Sequence, residues 1–316
     1  MKKIWIFVLA LMLISFGCEQ PNKKDDSKES AEKPLKNNNE LKAMDIGTLK
    51  SGLGMEGKEE GGQFKVTIPQ NDLNVKVDGF KIIPPMGLGS WAAFAPTSAQ
   101  TMVMGDIVVT EKDLKPVQQE IIQQGLTVTA IHNHFVRNEP DVMYMHIGGM
   151  GSEEKLAKSL KAIFDKVTEI RGADPSAVEM SSVENTLDTK RIDSILGHSG
   201  TMTNGVYKIT IGRPDVKLTE HGAPVSTFMG FNTWASWQGT PEKAAVAGDF
   251  TMLSDEVAPV IKALIENDIE VVAVHNHMVH EDPRIFFLHY WGIGSAEKLA
   301  IGLREALDKT GVINAE

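Results

Sequence analysis

The sequence predicts an α+β protein built as a tandem duplication, each copy an antiparallel sheet backed by two helices. Three observations carry that prediction. The chain aligns with itself at an offset of 143 residues without a gap, with 37 identities in the 114 positions of 54–167 against 197–310. Segments alternating apolar and polar residues, as strands with one buried face do, fill the first part of each copy. Apolar residues at helical spacing then appear twice per copy, so strands and helices are segregated rather than strictly alternating. A period this long exceeds that of solenoid repeats, so each copy is a domain-sized unit.

The N-terminus, MKKIWIFVLALMLISFGC, places two lysines before an apolar run from Ile4 to Phe16 and ends on Cys18, the only cysteine. The run is short for a permanent membrane span and suits a cleaved signal. It resembles bacterial lipoprotein signals: Gly17 is the small residue before the cysteine, although Ser15 stands where leucine is typical. On this reading residues 1–17 are a signal peptide and Cys18 carries a lipid. One cysteine also excludes an intramolecular disulfide or a thiolate metal cluster. Residues 18–43 are rich in Lys, Glu, Asp, Asn and Ser and nearly devoid of large apolar side chains, so they are expected to be a flexible tether.

Repeat domain 1 is expected over 44–170, a linker over 171–185 and repeat domain 2 over 186–316. The second copy shows the elements in order. GVYKITIG (205–212) alternates as a strand before a Pro-Asp turn, VKLTEHGAPV turns at His221-Gly222, STFMGFNTWASW is a strand, and Ala245–Leu253 is another. Ser254 reads as an N-cap for a helix with Val257, Val260, Ile261, Leu264 and Ile265 on one face, with Pro259 near its start. Glu270–Val279 and Ile285–Trp291 read as a hairpin turning near residue 282. Ser295 caps a final helix through Leu299, Leu303 and Leu307.

The hairpin carries the chemistry. A turn centred on 282 pairs His275 with His289, and two-residue alternation puts His277 on the same face. Opposed Cβ atoms lie about 5 Å apart, so three imidazoles fall within reach of one ion. The first copy repeats the pattern with His132, His134 and His146. Neutral imidazole suits a divalent transition metal, zinc first, and three ligands leave a position for water or substrate. Lone histidines in apolar strands are commonly hydrogen-bonded core residues; three co-facial ones arising twice favour a ligand set, with a metal-free polar site as the alternative.

Asp106 and Asp249, each after a glycine, are candidates to orient a histidine, bind the ion or act as a base. Trp91 and Trp234 read as core. The Gly149-x-Gly151 and Gly292-x-Gly294 pairs read as close-packed strand-to-helix turns, with anion binding as the lesser alternative. The second copy adds His198, His221 and His280 where the first has Met55, Asp78 and Arg137.

A net charge of −10, with no Lys/Arg run or basic helix, argues against nucleic acid as a partner, which sets aside the His-Asn-His nucleases. VVAVHNHMVHEDPRIFFLHYWGIGSAEKLAIGLREAL and the upstream VTIPQNDLNVKVDG with GSWAAF are similar to the LppY/LpqO lipoprotein family, a family of unknown function. That resemblance implies a cell-envelope lipoprotein held at a membrane through Cys18, and implies no reaction or substrate. Together these readings point to an envelope protein with a three-histidine divalent-metal site in each repeat, acting as a metal-dependent hydrolase with Asp249 or Asp106 as base; the alternative is a non-catalytic protein that binds a metal or small ligand.

Overall fold

In each copy six strands form one antiparallel sheet and three short strands a second, and the computed structural model describes residues 40–312 of the chain. The signal 1–17, Cys18 and the tether up to residue 39 lie outside the described residues. In the first copy the strand order is Lys58–Glu60, Gln63–Pro69, Gly89–Pro96, Thr101–Thr110, Val142–Gly151 and Thr127–His132. In the second it is Thr201–Thr203, Val206–Gly212, Asn232–Gly239, Ala244–Met252, Phe286–Gly294 and Glu270–His275.

Three helices back each sheet. In the first copy they are α1 (Ile46–Leu53), α2 (Glu111–Gln123) and α3 (Glu153–Arg171); in the second, α4 (Thr189–Leu196), α5 (Val257–Glu266) and α6 (Ala296–Leu307). The four longer ones are those the apolar periodicity predicts. The eight-residue α1 and α4 are additional, each capped by an aspartate, Asp45 or Asp188, whose side chain accepts from the third helical backbone N–H. Ser295 caps α6 through the Lys298 N–H. Ser254 instead opens a short 3₁₀ turn and α5 begins at Val257, so Pro259 sits in the first helical turn, where its missing N–H has no intrahelical partner to lose. Among the described residues no helix is long and apolar enough to cross a membrane.

One face of each sheet packs on its own helices, through Ile209, Phe250 and Leu303 in the second copy and Val66, Ile107 and Leu160 in the first. The other face belongs to both copies. One buried cluster joins Met86, Leu88 and Tyr144 to Ala245, Ala247 and Trp291; a second joins Ala93, Met102 and Met104 to Met229, Phe231 and Phe287. Alanines and glycines on the strands leave room for the other copy's larger side chains. Hydrogen bonds also cross this seam: Ser236 Oγ donates to the Pro85 carbonyl at 2.9 Å, Gln238 Nε2 to Lys81 O at 2.9 Å, and Trp291 Nε1 to Asp78 Oδ2 at 3.0 Å.

The histidine hairpin departs from its predicted geometry. The strand from Glu270 ends at His275 rather than Val279, and His275 pairs with Phe287 while His289 faces Ala273. In the first copy His132 pairs with Tyr144 and His146 with Ala130. The cause is that Glu281–Asp282 leaves the main ladder to pair with Leu218–Glu220, as Asn138–Glu139 does with Lys76–Val77, so the connection is no tight turn centred on 282. The offset is two residues, which preserves the face. The hairpin predicted at His221-Gly222 is present, with both residues at positive φ, +50° and +78°.

Candidate metal centre

Each copy contributes one histidine from the middle of a strand, one from a strand end and one from the loop beyond. His146 and His289 lie mid-strand, each directly opposite the retained aspartate, Asp106 and Asp249 respectively. His146 Nδ1 lies 3.1 Å from the Gly105 carbonyl and His289 Nδ1 3.0 Å from that of Gly248. A carbonyl only accepts, so each Nδ1 carries the proton and each Nε2 presents a lone pair.

The glycine of each Gly-Asp pair is required by the neighbouring strand. A Cβ at Gly105 would fall 2.6 Å from the Trp91 carbonyl oxygen, and one at Gly248 would fall 2.1 Å from that of Trp234.

His132 and His275 end their strands, and their rings stack on each other across the seam, centroids 3.8 Å apart. His134 and His277 lie past the strand ends. There His134 stacks on Tyr144 at 3.4 Å and His277 on Phe287 at 3.3 Å. Asn276 bridges the copies: its Nδ2 donates to the Met278 and Thr129 carbonyls, while Thr129 Oγ1 donates to His277 O at 2.7 Å.

The six histidines therefore form one cluster rather than a separate trio in each repeat. The loop histidine of each copy sits against the mid-strand histidine of the other, His134 to His289 at 3.9 Å and His146 to His277 at 4.0 Å. Among the described residues three sets of groups could hold a metal ion: His132, His146 and His275; His132, His134 and His289; and Asp249, His275 and His277. Two of the sets take ligands from both copies, and the third lies wholly in the second. None is the trio predicted from one hairpin, because rings of the other copy enter each all-histidine set, His132 lying 5.1 Å from His289 and His146 5.4 Å from His275.

All six rings are only 1–9% exposed. Burial is the main cause holding every one below the ordinary histidine range, His134 at about 3, with the other histidines adding to it for most. Neutral rings are the form that ligates a metal. Seven ring nitrogens in the cluster, on His132, His146, His275, His277 and His289, are buried without a hydrogen-bond partner. A buried polar atom left unpaired costs about 1–3 kcal/mol, and since a neutral ring has a lone pair on one nitrogen only, these five rings can present five. A group that accepts several nitrogen lone pairs at once fits this set.

Asp106 and Asp249 are buried and face the loop histidines, Asp106 Oδ2 at 3.5 Å from His134 Nε2 and Asp249 Oδ2 at 3.7 Å from His277 Nε2. Burial raises both carboxyl pKa values; for Asp249 the Leu288 N–H, which donates to Oδ1 at 3.0 Å, opposes that rise.

Beside the centre lies a cavity of about 360 Å³ whose walls obey the 143-residue offset throughout. Lys65 is matched by Lys208, Trp91 by Trp234, and Asp106, His134 and His146 by Asp249, His277 and His289. The tryptophans, predicted as core, are half-buried walls of this cavity. Each indole rests near a glycine of the other copy at positive φ: a Cβ at Gly87 would meet Trp234 at 2.9 Å, and one at Gly230 would meet Trp91 at 3.3 Å. The lysines and these glycines were not singled out from sequence, although all four positions are identical in the two copies. His221 and His280 lie elsewhere, paired with each other at 4.4 Å on exposed turns.

Fold and site define a class: a duplicated α+β protein with a buried six-histidine centre at the seam of its copies. The chain belongs to the family described as Domain of Unknown Function (DUF1259), whose model matches residues 47–166 and 190–309, two segments 143 residues apart. No curated protein matches it. Among solved structures it is weakly similar to EtuB from Clostridium kluyveri, at 7% identity over 80% of this chain and 89% of that one, TM-score 0.18. It is similar to the trimeric bacterial microcompartment shell protein PduB at 9% identity over 80% and 90%, TM-score 0.19. Scores this low establish no shared fold.

Proposed function

We propose that this protein binds a divalent transition metal, zinc first, in the six-histidine centre and uses it on a small molecule held in the adjoining cavity. The observation that carries the reading is the convergence, from both copies, of seven buried ring nitrogens without partners. Nitrogen donors with no thiolate among them suit zinc, copper, nickel or ferrous iron.

The simplest activity is hydrolysis. A metal held there would supply a water of lowered pKa and a Lewis acid. The chain's residues would do the rest. His146 and His289 are fixed in one tautomer by backbone carbonyls, Asp106 and Asp249 orient the loop histidines and are placed to move a proton at their Oδ2 atoms, and the indoles restrict water. Elemental analysis of the chain purified without a polyhistidine tag tests the metal, and a panel of ester, amide and phosphoester substrates tests the reaction. A chain that takes up no stoichiometric metal after reconstitution sinks the proposal.

A second reading, binding without turnover, is favoured by the central pair: His132 and His275 do not line the cavity. Stoichiometric metal with no hydrolysis of any panel member would select it.

We further propose that the chain is an LppY/LpqO-type lipoprotein of the bacterial cell envelope, tethered by residues 18–43 and anchored through lipid on Cys18. The apolar run and its cysteine support this. Cys18→Ser is expected to abolish palmitate labelling and move the protein out of the membrane fraction; unchanged labelling would refute the anchor.

A further inference from the structure

The cavity beside the histidines carries positive charge that the metal reading does not use. Lys65 and Lys208 are equivalent positions on equivalent strands, and both side chains enter this one space. Each ammonium lies over the indole of its own copy, Lys65 Nζ at 4.3 Å from the Trp91 ring and Lys208 Nζ at 4.1 Å from that of Trp234. Lys65 Nζ also donates to the Phe228 carbonyl of the other copy at 3.1 Å. Among the described residues no carboxylate lies within ion-pairing distance of either ammonium. The nearest acids in the cavity, Asp106 and Asp249, are turned toward His134 and His277.

Two ammonium groups in one half-enclosed cavity repel each other and are poorly hydrated, so their retention in both copies calls for a counter-charge. The aromatic faces hold each cation without neutralising it, leaving N–H donors directed inward. A compact oxyanion satisfies both ammonium groups at once and leaves the remainder of its molecule toward the histidines. The volume of about 360 Å³ is at the small end of ligand sites.

We infer that the cavity binds a small anion bearing a carboxylate or phosphate group, with Lys65 and Lys208 gripping its charged end from opposite copies and Trp91 and Trp234 flanking it. This deepens the proposed function, because the metal would face the same ligand, yet the grip itself needs only the lysines.

The test is isothermal titration of the purified full chain, zinc-loaded and at low ionic strength, with inorganic phosphate and with succinate. At least one probe is expected to bind, and which one does separates a phosphate-bearing from a carboxylate ligand. Lys65→Met/Lys208→Met is expected to weaken that binding about tenfold or more while zinc content and melting temperature stay unchanged. Lys65→Arg/Lys208→Arg, which keeps the charges, is expected to retain it and serves if the methionine variant does not fold. Binding of neither probe, or equal affinity in wild type and the methionine variant, overturns the inference. Lysine-dependent binding by a chain that takes up no zinc would uphold it while sinking the metal proposal.

Discussion

Lys65 and Lys208 show what burial does to a charge that has no ion-pair partner. Burial lowers both to about 8 from the ordinary 10.5, and for Lys65 the neighbouring Lys208 and Lys58 add to the drop while Asp106 opposes it. Asp249 opposes the drop at Lys208. Anion affinity should therefore fall as the pH rises through about 8. A titration series over pH 6–10 checks this; an affinity that holds to pH 10 contradicts it. The stability sign is opposite. Between about 8 and 10.5 the unfolded chain binds more protons than the folded one, so these lysines make the protein more stable as pH rises across that window.

At the same scale, Gly87→Ala should cost about 2–4 kcal/mol, since it combines an unfavourable φ of +99° with a clash on Trp234. Gly79→Ala, at φ +87° with open space around it, should cost only about 1–2 kcal/mol. Denaturant unfolding of the two variants measures the difference, and equal losses would mean that Trp234 yields freely.

Among the elements, the two copies fasten strands to helices with the same charged knot tied by different arginines. In the first copy Arg171, at the end of α3, reaches Asp72 and Asp113 and donates to the Val108 carbonyl. In the second, Arg213, at the end of the strand Val206–Gly212, reaches Asp215 and Glu256 and donates to the Thr251 carbonyl. The acids are equivalent positions in the two copies, whereas the arginines come from opposite elements. Arg213→Met leaves Asp215 and Glu256 without their cation and should cost about 3–5 kcal/mol, with the metal content of the folded protein unchanged. Thermal unfolding checks it, and a loss under 1 kcal/mol would show the knot to be dispensable.

Elements were also where the sequence was most readable. Apolar spacing located the four longer helices and the principal strands of the second copy. Parity placed His275 and His289 on one face even though the pairing slipped by two residues, because a shift of two restores the face. The slip was hidden because Glu281–Asp282 pairs with a distant segment, which no local turn rule registers.

At the scale of the whole molecule, the self-comparison singled out the six histidines that gather at the seam and could not say which rings meet. That depends on how one sheet lies on the other, which is decided by long-range packing of alanine-rich faces against Met86, Tyr144, Phe287 and Trp291. The same limit concealed the cavity: its lysines and tryptophans are retained in both copies, yet only the assembled seam brings Lys65 beside Lys208. Duplication is thus the condition for the site, since each copy supplies half of the cavity wall and three of the six rings.

The central claim is that one metal centre is shared by the two copies. It is tested most directly by the metal content, after reconstitution and dialysis, of wild type beside two paired variants, His132→Ala/His146→Ala in the first copy and His275→Ala/His289→Ala in the second. A shared centre predicts stoichiometric metal in the wild type and a loss of more than half of it in each variant. A wild type that retains no metal, or a pair whose removal leaves the content unchanged, would contradict it.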